Sequence, residues 1–404
     1  MARGIARKTR LRSAARAHRS GLTRRRFLDR AVALGAAAAV AASGAWAVGS
    51  DAAKCDAWVA GSDAPEKVEL HIGFMALTDC APIAVAVAEG FDRKHGIRIV
   101  PRRVSSWAAM RDRLMHAEID AAHMLYSSVY ATELGIGGVQ REMAVLMGLS
   151  QNGQAITFSH VLAATGIVDG DSLRRALASG ARRTFAQTFP TGTHALWLNY
   201  WLAAHGIDPL REVDTITVAP VQMVQSMRAG RMDGCCVGEP WNAQAVRADV
   251  GFTVATSQQI WADHPEKALA STRRFVACHP NSARALVAAL LEAARFADVR
   301  RNRPAVARLI SSAAYVDTDV AAIEARLLGR YDDGRGRVWD DTHAVRFHAD
   351  GAVNYPYVSD ATWFMTQQRR WRLLDRDPDY DAVAQRVQQS ALYRDAAAAA
   401  NVGV

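Results

Sequence analysis

The stretch RRTFAQTFPTGTHALWLNYW (182–201) reads as a strand, a loop and a helix in succession. Residues 182–187 alternate toward apolar, β-favouring types, and Pro190 and Gly192 punctuate the loop. From 194 to 205 the spacing turns helical, with Trp197, Trp201 and Leu202 on one face. The same alternation continues downstream: strands are predicted at 215–218, 232–237 and 252–256, and helices at 220–229 and 240–249. Upstream, strands at 68–74, 97–103, 119–125 and 143–149 alternate with helices at 81–95, 108–117 and 127–134. Strand–helix alternation predicts parallel strands covered by helices. Beyond 271 the pattern becomes helical (281–299, 304–312, 319–328), and 340–377 is rich in aromatics, expected to pack over the first set of elements.

Two α/β halves imply an α/β fold of two lobes with a cleft between them. Parallel-rich sheets would be flanked by helices, with strand ends and helix N-termini lining the cleft. The expected division is lobe I at 67–157 and 263–404, the latter with the C-terminal helical and aromatic extension, and lobe II at 158–262. The length of 404 residues is ample for two such cores.

The net charge of +9 suggests a nucleic-acid binder until it is located. Residues 1–47 hold eleven Lys/Arg and one acid, Asp29, so the remaining 357 residues sum to −1. A near-neutral body excludes a general phosphate-backbone binder. The basic segment contains TRRRFL (23–28), an uncharged Ala-rich stretch from Ala31, and Ala45-Trp46-Ala47. These are the basic region, apolar region and small-residue cleavage pattern of an export signal, with the paired arginines of the twin-arginine route. The signal peptide is placed at 1–47, a flexible leader at 48–66, and the mature protein in the periplasm. Whether the signal is cleaved or kept as an anchor stays open. Five cysteines (Cys55, Cys80, Cys235, Cys236, Cys278) leave one disulfide open without choosing it.

No GxSxG, HExxH, Walker A or strand-linked GxGxxG is present, and the chain is expected not to be an enzyme. Several junctions stand out instead. Thr78 or Asp79 would cap the helix starting near Ala81. Trp107 follows a strand, and Gln154 sits at a lobe crossover. His194 opens a helix, and Lys267 lies in HPEKA (264–268). Singly, each has an ordinary reading: Trp107 as core, Gln154 as a loop-end hydrogen bonder, His194 as an exposed first-turn residue, Lys267 as a solvated lysine. Glu239 and Trp241 read as capping and packing their helix. Together, Trp, Gln, His and Lys supply donors, and helix N-termini add N–H groups. A donor-only set of this kind suits a small anion with no proton of its own.

These segments resemble the nitrate- and bicarbonate-binding family of ABC-importer solute-binding proteins. The resemblance covers about residues 68–375 and rests on GFMALTDCAP (73–82), SSWAAMRD (105–112), GQAI (153–156), TFPTGTHALWLNYWLAAHGIDP (188–209), MDGCCVGEPWN (232–242) and HPEKALA (264–270). It implies a type II, C-clamp periplasmic binding protein holding one anion between its lobes. In the nitrate branch the ligand-binding positions match Trp107, Gln154, His194 and Lys267, with Val237 and Gly238 as backbone contributors. The bicarbonate branch carries an acid at the Lys267 position and uses calcium, so lysine here favours nitrate without metal. Thr191 stands where the family often shows a second glycine, and Cys235 where an aromatic is more usual.

The resulting expectation is a periplasmic nitrate or nitrite receptor, without metal or other cofactor, that delivers to the permease and ATPase subunits of an ABC importer. It would be a monomer, peripheral to the inner membrane. The alternatives are a bicarbonate or alkylsulfonate/taurine binder of the same fold, and a nitrate-sensing regulator.

Overall fold

In a computed structural model, residues 62–138 and 140–403 are described. The expected signal peptide, Cys55 and most of the leader lie outside these residues. Ten of the eleven strands of the two main sheets come first in the chain: β1 Glu69–Met75, β2 Arg98–Val104, β3 Ala121–Leu125, β4 Met143–Asn152, β5 Gln154–Ser159, β6 Thr184–Gln187, β7 Asp214–Thr217, β8 Gly234–Gly238, β9 Gly251–Thr256 and β10 Pro265–Thr272. A hairpin, β11 Arg330–Asp332 and β12 Val338–Asp340, and a short edge strand, β13 Val345–Arg346, follow.

The first sheet has the order β13-β4-β10-β3-β1-β2, the second β7-β6-β8-β5-β9. Parallel pairing holds where the alternation predicted it: β1 with β2 and β3, and β6 with β7 and β8. Elsewhere the ladders are antiparallel: β10 with β3 and β4, β13 with β4, and β5 with β8 and β9. The sheets are therefore mixed rather than dominated by parallel pairs. The reason is the crossover. The chain leaves β4 in the first sheet and enters β5 in the second after a single residue, Gly153, and β5 and the returning strand β10 run opposite to their neighbours. Asn152 and Gly153 both take positive φ, 60° and 80°, to make this turn. The return crossing lies beside it, with Asn152 N–H donating to the His264 carbonyl at 3.1 Å. Residues 154–157 thus pair in the second sheet, although the expected boundary placed them in lobe I.

Two hydrophobic cores form, the larger built on the first sheet but also taking in Ala186, Cys235 and Val237 of the second, the smaller on the second sheet alone. Leu70, Ile72, Phe74, Leu125, Val145 and Leu269 belong to the larger one, and Ile156, Phe158, Phe185, Trp197, Leu202 and Phe252 to the smaller. The aromatic C-terminal region covers the first sheet as expected. On the helix Val358–Arg370, Phe364 stacks on Tyr126 with centroids 5.4 Å apart, and Gln368 donates to the Ser127 carbonyl at 2.8 Å. It also reaches the second core, where Trp363 stacks on Trp197 at 4.9 Å. Gly148 in β4 is where this segment presses closest. Its N–H donates to the Asn354 carbonyl, and a Cβ there would lie 2.2 Å from the Val353 carbonyl oxygen. Gly148→Ala is expected to destabilise the chain by about 2–3 kcal/mol, because backbone rather than a flexible side chain must yield. Urea unfolding checks it, and a change within error would mean that residues 353–354 do not pack here.

Two local expectations change. Neither Thr78 nor Asp79 caps the following helix: Thr78–Cys80 is a 3-10 turn running into Ala81–Ala88 without a side-chain cap. The last leader residues are tied down, with the Glu66 carboxylate accepting from the N–H groups of Asn281 and Ser282 at the start of the helix Pro280–Asp298. Cys278 is disulfide-bonded. Cys80, Cys235 and Cys236 are buried free thiols, and burial pushes Cys235 up to about 12. Among the described residues no helix is long and apolar enough to cross a membrane.

Candidate functional site

Lys267 is not solvated; it is fully buried, the third residue of β10. The ladder from β10 to β4 is irregular between Pro265 and Lys267 and again between Lys267 and Ala268. Consecutive residues of a regular strand face opposite sides. Here both Glu266 and Lys267 reach one buried centre. Lys267 Nζ lies 2.5 Å from Glu266 Oε1 and 2.9 Å from Asp79 Oδ2. Asp79 comes from the 3-10 turn after β1, and its Oδ1 lies 2.9 Å from Nε2 of His123 on β3.

The other sequence candidates converge on the same place. Trp107 is the first residue of the helix Trp107–Met115, whose N-terminus is fixed by Ser106 Oγ accepting from Ala109 N–H. Its ring lies 5.8 Å from Lys267 Nζ, and its indole N–H is buried without a partner among the described residues. Gln154 opens β5, donates Nε2–H to Glu266 Oε2, and leaves its Oε1 unpartnered. His194, on the helix Thr193–Ala204, is buried rather than exposed. Its Nδ1 lies 2.5 Å from Thr188 Oγ1, and its Nε2 is 3.4 Å from Glu266 Oε1 without hydrogen-bond geometry. In the tautomer where the Thr188 hydroxyl donates to Nδ1, the ring carries its N–H at Nε2, a donor for an anion.

Gly238 pairs with Gln154 across the β5–β8 ladder. A Cβ on it would lie 3.2 Å from Leu77 Cδ2 and 3.5 Å from His194 Nε2, so its backbone borders the site. Val237, the other expected backbone contributor, is one residue back on β8; its carbonyl accepts from Asn242 Nδ2 at 2.6 Å. Glu239 and Trp241 do cap and pack: Glu239 Oε2 accepts from Ala243 N–H at 3.0 Å, and Trp241 Nε1 donates to the Ala76 carbonyl at 2.9 Å. The latter bond and Thr78 N–H to the Glu239 carbonyl at 2.8 Å join β1's end to β8's, one sheet to the other.

The expectation of a donor-only pocket is overturned. Glu266, which the sequence reading passed over in favour of its neighbour, is a fully buried acceptor among the candidate ligands. Besides Lys267 and Gln154 it accepts from Thr193 Oγ1 at 2.7 Å and Trp197 Nε1 at 3.3 Å. Asp79 is a second buried carboxyl. Sequence held one usable signal: two adjacent charged residues inside an apolar strand.

Electrostatics follow from burial and from Lys267. Burial alone would raise Asp79, but Lys267 and His123 hold it well below the usual carboxylate range. For Glu266 burial outweighs the pull of Lys267, and its pKa is raised. Burial pulls Lys267 down, yet Asp79 and Glu266 together raise it. His194 is pushed well down by burial and by Lys267, and His264, mainly by burial, to about 3. The centre is thus one ammonium facing two carboxyls, ringed by neutral imidazoles. Among the described residues there is no group of three or more His, Cys, Asp or Glu placed to hold a metal ion.

The model of the NMT1-like family matches residues 63–311. The chain belongs to the NMT1-like family. This member is 37% identical to the nitrate/nitrite binding protein NrtA of Synechococcus elongatus, over 83% of this chain and 79% of that protein. It is 36% identical to the nitrate import ATP-binding protein NrtC of Synechocystis, but spans only about half of that protein's length. Its fold matches the crystal structure of the periplasmic nitrate-binding protein NrtA from Synechocystis PCC 6803 with a TM-score of 0.80 at 34% identity, covering 83% of this chain and 90% of that one. The α/β periplasmic-binding-protein fold expected from the sequence is thereby shown.

Proposed function

We propose that this chain is the solute-binding protein of an ABC importer, that it captures nitrate, with nitrite as a second ligand, between its two sheets, and that it passes the anion to a permease without chemical change. The observation that carries this reading is the convergence of Trp107, Gln154, His194 and Lys267 on one buried centre, with the indole N–H of Trp107 and Nε2 of His194 unpartnered among the described residues. The likeness to NrtA proteins supports the choice of anion. In this reading Lys267, His194 and Trp107 donate to nitrate oxygens, Gln154 orients it, and the backbone at Val237 and Gly238 closes the pocket. A Lys–anion hydrogen bond contributes about 1.5–3 kcal/mol in such a setting. The two sheets act as lobes that hinge at Gly153 and at 257–264. Export by the twin-arginine route, a periplasmic site of action and a monomer working beside the membrane's permease and ATPase complete the proposal.

A second reading, bicarbonate, gains from Glu266. Bicarbonate brings an O–H, and a carboxylate accepts it where it would repel bare nitrate. Calorimetric titration with nitrate, nitrite, bicarbonate with and without calcium, sulfate and taurine separates the readings. Nitrate and nitrite are expected to bind tightest, with no calcium requirement. Bicarbonate binding more tightly than nitrate reverses the choice of substrate.

A further inference from the structure

Each oxygen of Glu266 holds one donor that the nitrate reading needs, Lys267 at Oε1 and Gln154 at Oε2. Oε1 accepts from Lys267 and Thr193, and Oε2 from Gln154 and Trp197. The carboxylate is itself a planar oxyanion seated on those donors. A nitrate oxygen bonded to Lys267 Nζ or Gln154 Nε2 would stand within two hydrogen-bond lengths of a Glu266 oxygen, at most about 6 Å. Lys267 is already shared between Asp79 and Glu266, so a third negative charge this close is left without a matching cation and favours protonation of one carboxylate. Asp79 is ill-suited to take it, because His123 and Lys267 both hold it ionised. Glu266 is 0% exposed and pairs with Lys267; its histidine neighbour, His194, stands farther off, with Nε2 at 3.4 Å, than His123 does from Asp79 at 2.9 Å.

We propose that nitrate enters this site together with one proton, which is taken from solvent by the Glu266 carboxyl and returned when the anion leaves. The inference rests on the nitrate reading above. On protonation an O–H bond forms at Glu266 Oε2. The Gln154 amide then turns, so that its Oε1, unpartnered in this state, accepts the new O–H, and its Nε2 is freed for the anion. Burial raises Glu266 toward this role. The titratable and charged groups facing it are Lys267 from its own strand, His194 from the helix Thr193–Ala204, Asp79 from the turn after β1 with His123 behind it, and the Cys236 thiol of β8, while His264, just before the strand, lies against Trp197. Of these, His194 is the competing proton acceptor. Burial and Lys267 both oppose its charging.

The test is titration of the purified full chain with sodium nitrate in two buffers of different ionisation heat, repeated across the neutral pH range. Expected are close to one proton taken up per nitrate and a Kd that rises about tenfold per pH unit. Glu266→Gln is expected to bind nitrate with no proton uptake and a Kd that no longer moves with pH. Nitrate binding by the unaltered chain without proton uptake overturns the inference alone and needs no variant. Proton uptake that persists in Glu266→Gln overturns it in favour of His194. Absence of nitrate binding at every pH, or bicarbonate bound without proton uptake in its place, overturns the nitrate reading and this inference together.

Discussion

Lys267→Met is expected to abolish measurable nitrate binding and to lower the unfolding free energy by about 3–5 kcal/mol at neutral pH, the range for removing one partner of a buried ion pair. The side chain is fully buried and is shared between two carboxyls, Asp79 and Glu266. Methionine keeps the stem's packing, so the loss is electrostatic rather than a cavity. The pH dependence has a definite sign. In the unaltered chain Asp79 is depressed when folded, so its stabilisation is present above its unfolded pKa, about 3.9, and is lost as pH falls. Without the ammonium, burial raises both carboxyls. Their penalty then appears as pH rises through the carboxylate range and vanishes in acid. The gap between variant and parent in urea unfolding therefore shrinks on acidification. Adding Glu266→Gln to the variant removes one stranded charge and is expected to recover a substantial part of the loss. A variant that unfolds at the parent's urea midpoint would place Lys267 in solvent and remove it from the site.

How legible this centre is in the sequence varies with the residue. Trp107, His194 and Gln154 sit at element boundaries that hydrophobic periodicity and Pro/Gly punctuation locate, and local position was enough to gather them. Strand–helix alternation likewise fixed the α/β class and the parallel triples β1–β3 and β6–β8. The antiparallel partners of β5 were hidden, because its pairing with β8 and β9 is settled by where the chain crosses between sheets, not by the composition of residues 154–159. Glu266 was hidden for a geometric reason. In a regular strand it would face away from Lys267, and only the irregular ladder to β4 brings the two together. Asp79 looked like a helix cap because it precedes Ala81-Pro82, a position where short acceptors often cap. The tertiary partners His123 and Lys267, from strands far apart in sequence, claimed it instead.

Trp197 links this centre to the C-terminal aromatic region, and two substitutions separate its two contributions. It is 0% exposed, stacks on Trp363 at 4.9 Å, meets Trp261 edge-on at 5.7 Å, and lies 4.2 Å from the His264 ring. Trp197→Ala empties the space between the second core and the helix Val358–Arg370 and is expected to cost about 3–5 kcal/mol. Trp197→Phe keeps most of the ring contacts and removes the N–H that Glu266 Oε2 accepts. Its expected cost is near 1 kcal/mol, about that of one intramolecular hydrogen bond, and it should shrink as Glu266 protonates, since the neutral carboxyl needs the donor less. Urea unfolding of both variants at two pH values measures the difference. The same cost for Phe as for Ala would mean that the hydrogen bond to Glu266, not packing, dominates. A cost for Phe that does not change with pH would mean that the indole N–H does not stabilise an ionised Glu266, and the proton linkage at that residue would lose its structural support.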